Sequence, residues 1–149
     1  MLVREILAIK GKILYTIAPQ KKLSEAVATM SSQDVGSLVC FEGGLMVGML
    51  TFREVLRGLH AHGAAWGGLT VGEVMVRDPI AGRPDMELND LRMLMLEKHM
   101  RYLPIMDGET LLGVISFHDV AKGVLEEQGF ENRMLKAYIR DWSEVERTG

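Results

Sequence analysis

The stretch "GMLTFREVLRG" (Gly48–Gly58) is nearly written a second time as "GVISFHDVAKG" (Gly113–Gly123). Each runs glycine, two apolar residues, a hydroxyl, phenylalanine, a basic or imidazole residue, an acid and valine. The opening glycines stand 65 residues apart. The same offset pairs Leu23 with Leu88, Met30 with Met95, Leu38 with Leu103, Gly43 with Gly108, Phe52 with Phe117, Val55 with Val120 and Gly58 with Gly123. No gap is needed over that span. Further upstream, "VREIL" (Val3–Leu7) is echoed by "VGEVM" (Val71–Met75) at an offset of 68. Similarity ordered by chemistry over so many positions marks two copies of one supersecondary unit.

Each copy reads as a run of short elements. "LSEAVATM" puts Ser24 in place as a helix N-cap, and "LNDLRMLMLEKH" puts Asn89 in the equivalent place. "GSLVCF" and "RYLPIM" have strand length, and "EGG" (Glu42–Gly44) and "DGE" (Asp107–Glu109) supply turn chemistry before "LMVGML" and "LLGVIS". These strands are apolar almost throughout, which predicts cover on both sheet faces. A last helix opens at Phe52 or Phe117, with Val55, Leu56 and Leu59 on one face of the first copy. With a short strand before each first helix, the unit is βαββα. A unit of ~60 residues makes a marginal core alone. The expected fold is therefore α/β (α+β): two βαββα repeats packed around a pseudo-twofold axis, plus a C-terminal amphipathic helix.

The expected division is residues 1–62 for the first repeat with its lead-in, 63–70 for a Gly/Ala-rich connector, 71–125 for the second repeat and 126–149 for a helical tail. In the tail Met134, Leu135, Tyr138, Ile139 and Trp142 fall at helical spacing between charged residues. Such a face covers the module itself or meets a partner chain, and oligomer contact is favoured because the repeats look self-sufficient.

Composition narrows the function. The 149 residues are 48% hydrophobic with a formal charge of −3, so no basic field points to nucleic acid. The opening "MLVRE" puts an Arg and a Glu where a signal peptide would need its apolar run, and no apolar run approaches the ~18 residues of a membrane span. A soluble, cytoplasmic protein is expected. Cys40, the one cysteine, sits in an apolar strand pattern as a small core residue. His60, His62, His99 and His118 form no HExxH or other metal-ligand spacing, and no GxSxG, Walker or GxGxxG motif occurs. The 11 methionines read as core filler. No enzyme is expected.

The repeated hydroxyl–acid pair has two readings. Thr51-Phe52-Arg53-Glu54 is a capping box, in which Thr51 accepts from an early helical N–H and Glu54 reaches back. Ser116 can cap in the same way, but Asp119 is a methylene shorter than the acid that the box prefers. A short carboxylate at a helix start can instead accept both hydroxyls of a ribose, while the helix N-terminus favours an anionic group.

The βαββα repeat, the "GVISFHDV" ending, the preceding "HMRYLPIMD" and the lead-in "VGEVMVRDPI" resemble a tandem CBS-domain pair, or Bateman module, from about Val3 to about Leu125. The resemblance implies a non-catalytic regulatory module that binds AMP, ADP, ATP, NAD or S-adenosylmethionine between its repeats, often as a homodimer. Ser116 and Asp119 match the family motif, Asp119 as the ribose ligand and Ser116 near ribose and phosphate. Thr51 also matches, whereas Glu54 stands where the family has Asp. Arg101 matches a phosphate-facing basic residue; its repeat equivalent is Gly36. Arg53 stands where relatives place an arginine for phosphate, and His118 replaces it in the second copy. Backbone around Thr16 and Ile80 is implied to flank the adenine. The regulated target would be a separate protein. The other reading is a structural interaction module whose clefts no longer bind nucleotide and whose tail mediates assembly.

Overall fold

The computed structural model describes residues 1–11 and 13–148, with side-chain surroundings for all of these except 130, 131, 138 and 141–148. Along the chain lie α1 (Val3–Lys10), β1 (Thr16–Ile17), α2 (Leu23–Gln33), β2 (Ser37–Glu42), β3 (Leu45–Thr51), α3 (Phe52–His62) and a 3-10 helix (Gly63–Gly68). These are followed by α4 (Val71–Val74), β4 (Val76–Arg77), α5 (Leu88–Glu97), β5 (Tyr102–Asp107), β6 (Thr110–Ser116) and α6 (Phe117–Thr148).

The duplication is carried into the strand registers. β2 and β3 form an antiparallel hairpin from Ser37–Thr51 to Glu42–Leu45, with a bulge between Cys40 and Phe41. β5 and β6 pair from Tyr102–Ser116 to Asp107–Thr110, with the bulge at the equivalent step between Ile105 and Met106. Gly43 and Gly44 turn the first hairpin with φ of 60° and 78°, and Gly108 turns the second with φ of 59°. β1 runs parallel to β2 and β4 antiparallel to β3, giving the order β1-β2-β3-β4. The expected first strand of the second unit is reduced to an isolated parallel bridge, Gly82 with Ile105, at the repeat equivalent of Ile17 with Cys40.

The two cores match residue for residue. One holds Leu23, Ala26, Met30, Leu38, Cys40, Leu50 and Val71, and the other holds Leu88, Leu91, Met95, Leu103, Ile105, Ile115 and Val3. The lead-ins are exchanged between them. Val3 and Ile6 of α1 pack into the core built from residues 88–120, while Val71 and Met75 pack into the core built from residues 23–50. Glycines make room for these insertions. A Cβ on Gly48 would collide with Met75 Sδ and the Val76 carbonyl, and one on Gly113 with Leu7. One on Gly123 would lie 2.7 Å from Ile6 and 2.8 Å from Leu88.

The exchange also corrects two expected helix caps. α2 and α5 begin at Leu23 and Leu88, behind Lys22 and Glu87, and neither of those side chains caps the helix. The first amides instead donate to crossing backbone, Leu23 N to Leu69 O at 2.7 Å and Leu88 N to Met1 O at 2.8 Å. Ser24 and Asn89 therefore sit one residue inside their helices. On α3 the expected apolar face is split: Val55 packs on the first core beside buried Gly58, whereas Phe52, Leu56 and Leu59 are exposed.

α6 continues unbroken from Phe117 to Thr148, so the tail is an extension of the second repeat's last helix. Met134, Leu135 and Ile139 on it are exposed. The side chains of Tyr138 and Trp142 lie outside the described set. Among the described residues no helix is long and apolar enough to cross a membrane.

Candidate functional site

The chain places a cleft beside each of the two repeated motifs. The cleft at the start of α6 has a volume of about 590 Å³, and its walls include Lys10, Tyr15, Arg101, Ser116, Phe117 and His118. The cleft at the start of α3 has a volume of about 520 Å³, and its walls include Thr51, Arg53, Glu54, Arg57, His60 and Pro79.

At the first cleft, β6 delivers Ser116 to the N-terminus of α6. Asp119 N donates to Ser116 Oγ at 3.1 Å, and Ser116 N donates to Asp119 Oδ2 at 2.9 Å. The aspartate thus closes the capping box that its length was expected to fit poorly: its position in the first turn brings the shorter carboxylate within reach of the Ser116 amide. Lys10 Nζ also donates to Oδ2, at 2.6 Å. Lys10 donates as well to the Val114 carbonyl at 2.8 Å.

The Asp119 side chain is 24% exposed, and Ser116, Phe117 and His118 before it in the chain line the cleft, while Asp119 itself does not. Burial pushes its carboxyl upward, but the hydrogen bond from Lys10, the Ser116 amide and the Lys10 charge outweigh this and hold it below the ordinary value. Lys10 is a residue of this cleft that the sequence does not single out. Its position in the N-terminal lead-in, equivalent at an offset of 68 to Asp78, carries no repeated signal.

At the second cleft the acid is used differently. The Glu54 residue is only 4% exposed. Its Oε1 accepts from Thr51 N at 3.0 Å and from Thr51 Oγ1 at 2.9 Å, while Thr51 Oγ1 accepts from Arg53 N. Glu54 is turned into the helix cap. Arg53 donates from Nη2 to the His99 carbonyl at 2.7 Å, across to the end of α5. His99 takes a left-handed conformation there (φ 54°), as does its repeat equivalent Asp34 after α2 (φ 53°).

Arg101 and Tyr102 line both clefts. The position of Tyr102 depends on Gly36, where a Cβ would overlap the Tyr102 hydroxyl. The absence of a side chain at the repeat equivalent of Arg101 is thus what seats Tyr102. Tyr15 lines the first cleft and Pro79 the second; the side chains of their neighbours Thr16 and Ile80 do not, and Ile80 is 43% exposed.

Elsewhere, Cys40 is fully buried, and burial, followed by the Glu54 charge, pushes its thiol up to about 12, so it stays protonated and unreactive. Among the described residues no group of three or more His, Cys, Asp or Glu side chains is placed to hold a metal.

The CBS-domain family model matches this chain twice, at residues 3–61 and 71–126. The CBS domain-containing protein YhcV of Bacillus subtilis is 35% identical over 106 residues, which cover 71% of this chain and 75% of YhcV. The mitochondrial CBS domain-containing protein CBSX3 of Arabidopsis thaliana is 28% identical over 121 residues, covering 78% of this chain and 59% of CBSX3. The crystal structure of the CBS-domain protein ATU1752 from Agrobacterium tumefaciens superposes with a TM-score of 0.79 at 25% identity, covering 83% of this chain and 98% of that one. The chain belongs to the CBS-domain family and is a tandem pair of these domains.

Proposed function

We propose that this CBS pair is a non-catalytic regulatory module that takes an adenosine-containing ligand in the cleft beside Ser116 and Asp119. The candidates are AMP, ADP, ATP and NAD, with S-adenosylmethionine as a further member of the class. The observation that carries this reading is the convergence of Lys10, Arg101 and the α6 N-terminus on one cleft of about 590 Å³, with a half-buried carboxylate on the same helical turn. That volume lies within the roughly 300–1,000 Å³ of small-molecule pockets.

The chemistry of each group fits a nucleotide. Asp119 can accept from a ribose hydroxyl through Oδ1 while Oδ2 keeps the Ser116 amide. Ser116, Arg101 and the first-turn amides suit a phosphate. Ile13, Leu14 and Tyr15 give the cleft an apolar wall for the base. The Glu54 cleft is the weaker site, because Glu54 is only 4% exposed and its carboxylate is turned into the Thr51 cap, whereas the Asp119 side chain is 24% exposed.

Binding between the repeats biases their packing by the ligand's differential affinity for the two arrangements, and a separate target protein reads the result. Pairing of two chains through exposed Phe52, Leu56 and Leu59 on α3, or along the α6 extension, belongs to the same proposal.

A structural interaction module with non-binding clefts is the second reading. It is favoured by the engagement of both acids in helix caps and of Asp119 with Lys10. Calorimetric and thermal-shift titration with AMP, ATP, NAD and S-adenosylmethionine decides between them. Heat of binding and a raised melting temperature with one of these ligands support the regulatory reading, and silence with all four leaves the structural one.

A further inference from the structure

We propose that Lys10 occupies the ribose carboxylate as a displaceable internal ligand, and that this makes the cleft selective for phosphate-bearing nucleosides over neutral ones. The inference rests on the nucleotide reading above and assigns its specificity.

Lys10 is the last residue of α1, the lead-in that Val3 and Ile6 anchor in the second core. Its ammonium donates to Asp119 Oδ2 and to the Val114 carbonyl, yet the side chain is 37% exposed and forms part of the cleft wall. A ligand that offers a ribose hydroxyl to this carboxylate must share it with an ammonium or move the ammonium away.

For a neutral nucleoside the exchange is poor. A charge-assisted hydrogen bond is surrendered for one to a hydroxyl, and Lys10 is left with Val114 and water. A nucleotide changes the balance, since the released ammonium can swing from the carboxylate to the phosphate without losing its counter-charge. Arg101 and the α6 N-terminus already favour an anion in the same cleft. The Glu54 cleft lacks the device, because Asp78 stands at the repeat equivalent of Lys10.

Displacement also has a mechanical consequence. The Lys10 bonds tie the end of α1 to β6 and α6, while Val3 and Ile6 hold its beginning. Releasing Lys10 therefore loosens only the last turn of α1, and ligand occupancy is reported at the junction of the two repeats.

The test compares the wild type with Lys10→Met, which keeps an aliphatic stem at this half-exposed position. Each is titrated calorimetrically with adenosine and with AMP, and amide exchange is followed over residues 7–11. In the wild type, AMP is expected to bind well ahead of adenosine and to speed exchange at residues 7–11. In Lys10→Met, AMP affinity falls roughly tenfold, adenosine affinity rises, and exchange at residues 7–11 no longer responds to AMP. Equal losses for both ligands, no change for either, or protection of residues 7–11 by AMP in the wild type overturns the Lys10 role and leaves nucleotide binding standing. Failure of both ligands to bind either protein overturns the Lys10 role, and the nucleotide reading falls with it only if ATP, NAD and S-adenosylmethionine also fail to bind the wild type.

Discussion

Lys10 Nζ lies 2.6 Å from Asp119 Oδ2, joining residues 109 positions apart at the point where α1, β6 and α6 meet. The contact exists because the N-terminal lead-in crosses to the second core, which carries Lys10 to the start of a helix that ends the other repeat.

This pair gives the fold an acid-sensitive component. Burial opposes ionisation of Asp119, but the Lys10 and Ser116 bonds prevail and depress its carboxyl value. A carboxyl depressed in the folded state contributes stability that is fully present above its unfolded value of about 3.9 and is lost as pH falls through the folded value. Asp119→Asn removes that component. Melting followed from pH 7 down to about pH 3 is expected to fall more steeply below about pH 4 in the wild type than in the variant. Parallel curves would remove Asp119 from the acid response.

The exchanged lead-in predicts where damage to α1 is felt. Ile6→Ala truncates a buried side chain that shares a core with Leu88, Leu103 and Ile115, at a cost of about 2–5 kcal/mol. Native-state amide exchange is expected to speed up in α5 and the β5–β6 hairpin, while β2–β3, nearer in sequence, keeps its protection. Loss of protection confined to β2–β3 would mean that α1 packs on the repeat beside it in the chain.

Gly36 sets the position of Tyr102 and so the shape of both clefts. Gly36→Ala forces Tyr102 aside, at roughly 1–3 kcal/mol of overpacking, and weakens nucleotide binding. Gly68→Ala, where an added Cβ meets nothing within 4 Å, is the matched control and leaves both properties unchanged. Equal behaviour of the two variants in melting and titration would separate Tyr102 from the site.

The repeat made much of this architecture readable in advance. Leu23 with Leu88, Met30 with Met95 and Leu38 with Leu103 are repeated core positions, and both hairpins bulge at equivalent steps. What could not be read was which core each lead-in enters. "VREIL" and "VGEVM" show that the two segments are equivalent, and an offset says nothing about crossing in space. The misplaced caps at Ser24 and Asn89 have the same origin, since the amides they were expected to serve are satisfied by crossing backbone.

At the candidate site, the pairing of Ser116 with Asp119 was legible because a short motif is repeated around them. Lys10 was not: no repeated signal marks it, and its contact to Asp119 depends wholly on the tertiary exchange. The apolar face of Val55, Leu56 and Leu59 on α3 is covered only at Val55, because a helical period shows that a face is apolar and not whether the chain itself covers it.

The central claim is that the Ser116–Asp119 cleft binds an adenosine-containing ligand. Calorimetric titration of the wild type, Asp119→Asn and Glu54→Gln with AMP, ATP, NAD and S-adenosylmethionine tests it most directly. The expected result is saturable binding of at least one ligand to the wild type, weakened roughly tenfold or more by Asp119→Asn and much less by Glu54→Gln. Absence of binding by all four ligands, or a greater loss with Glu54→Gln than with Asp119→Asn, would contradict it.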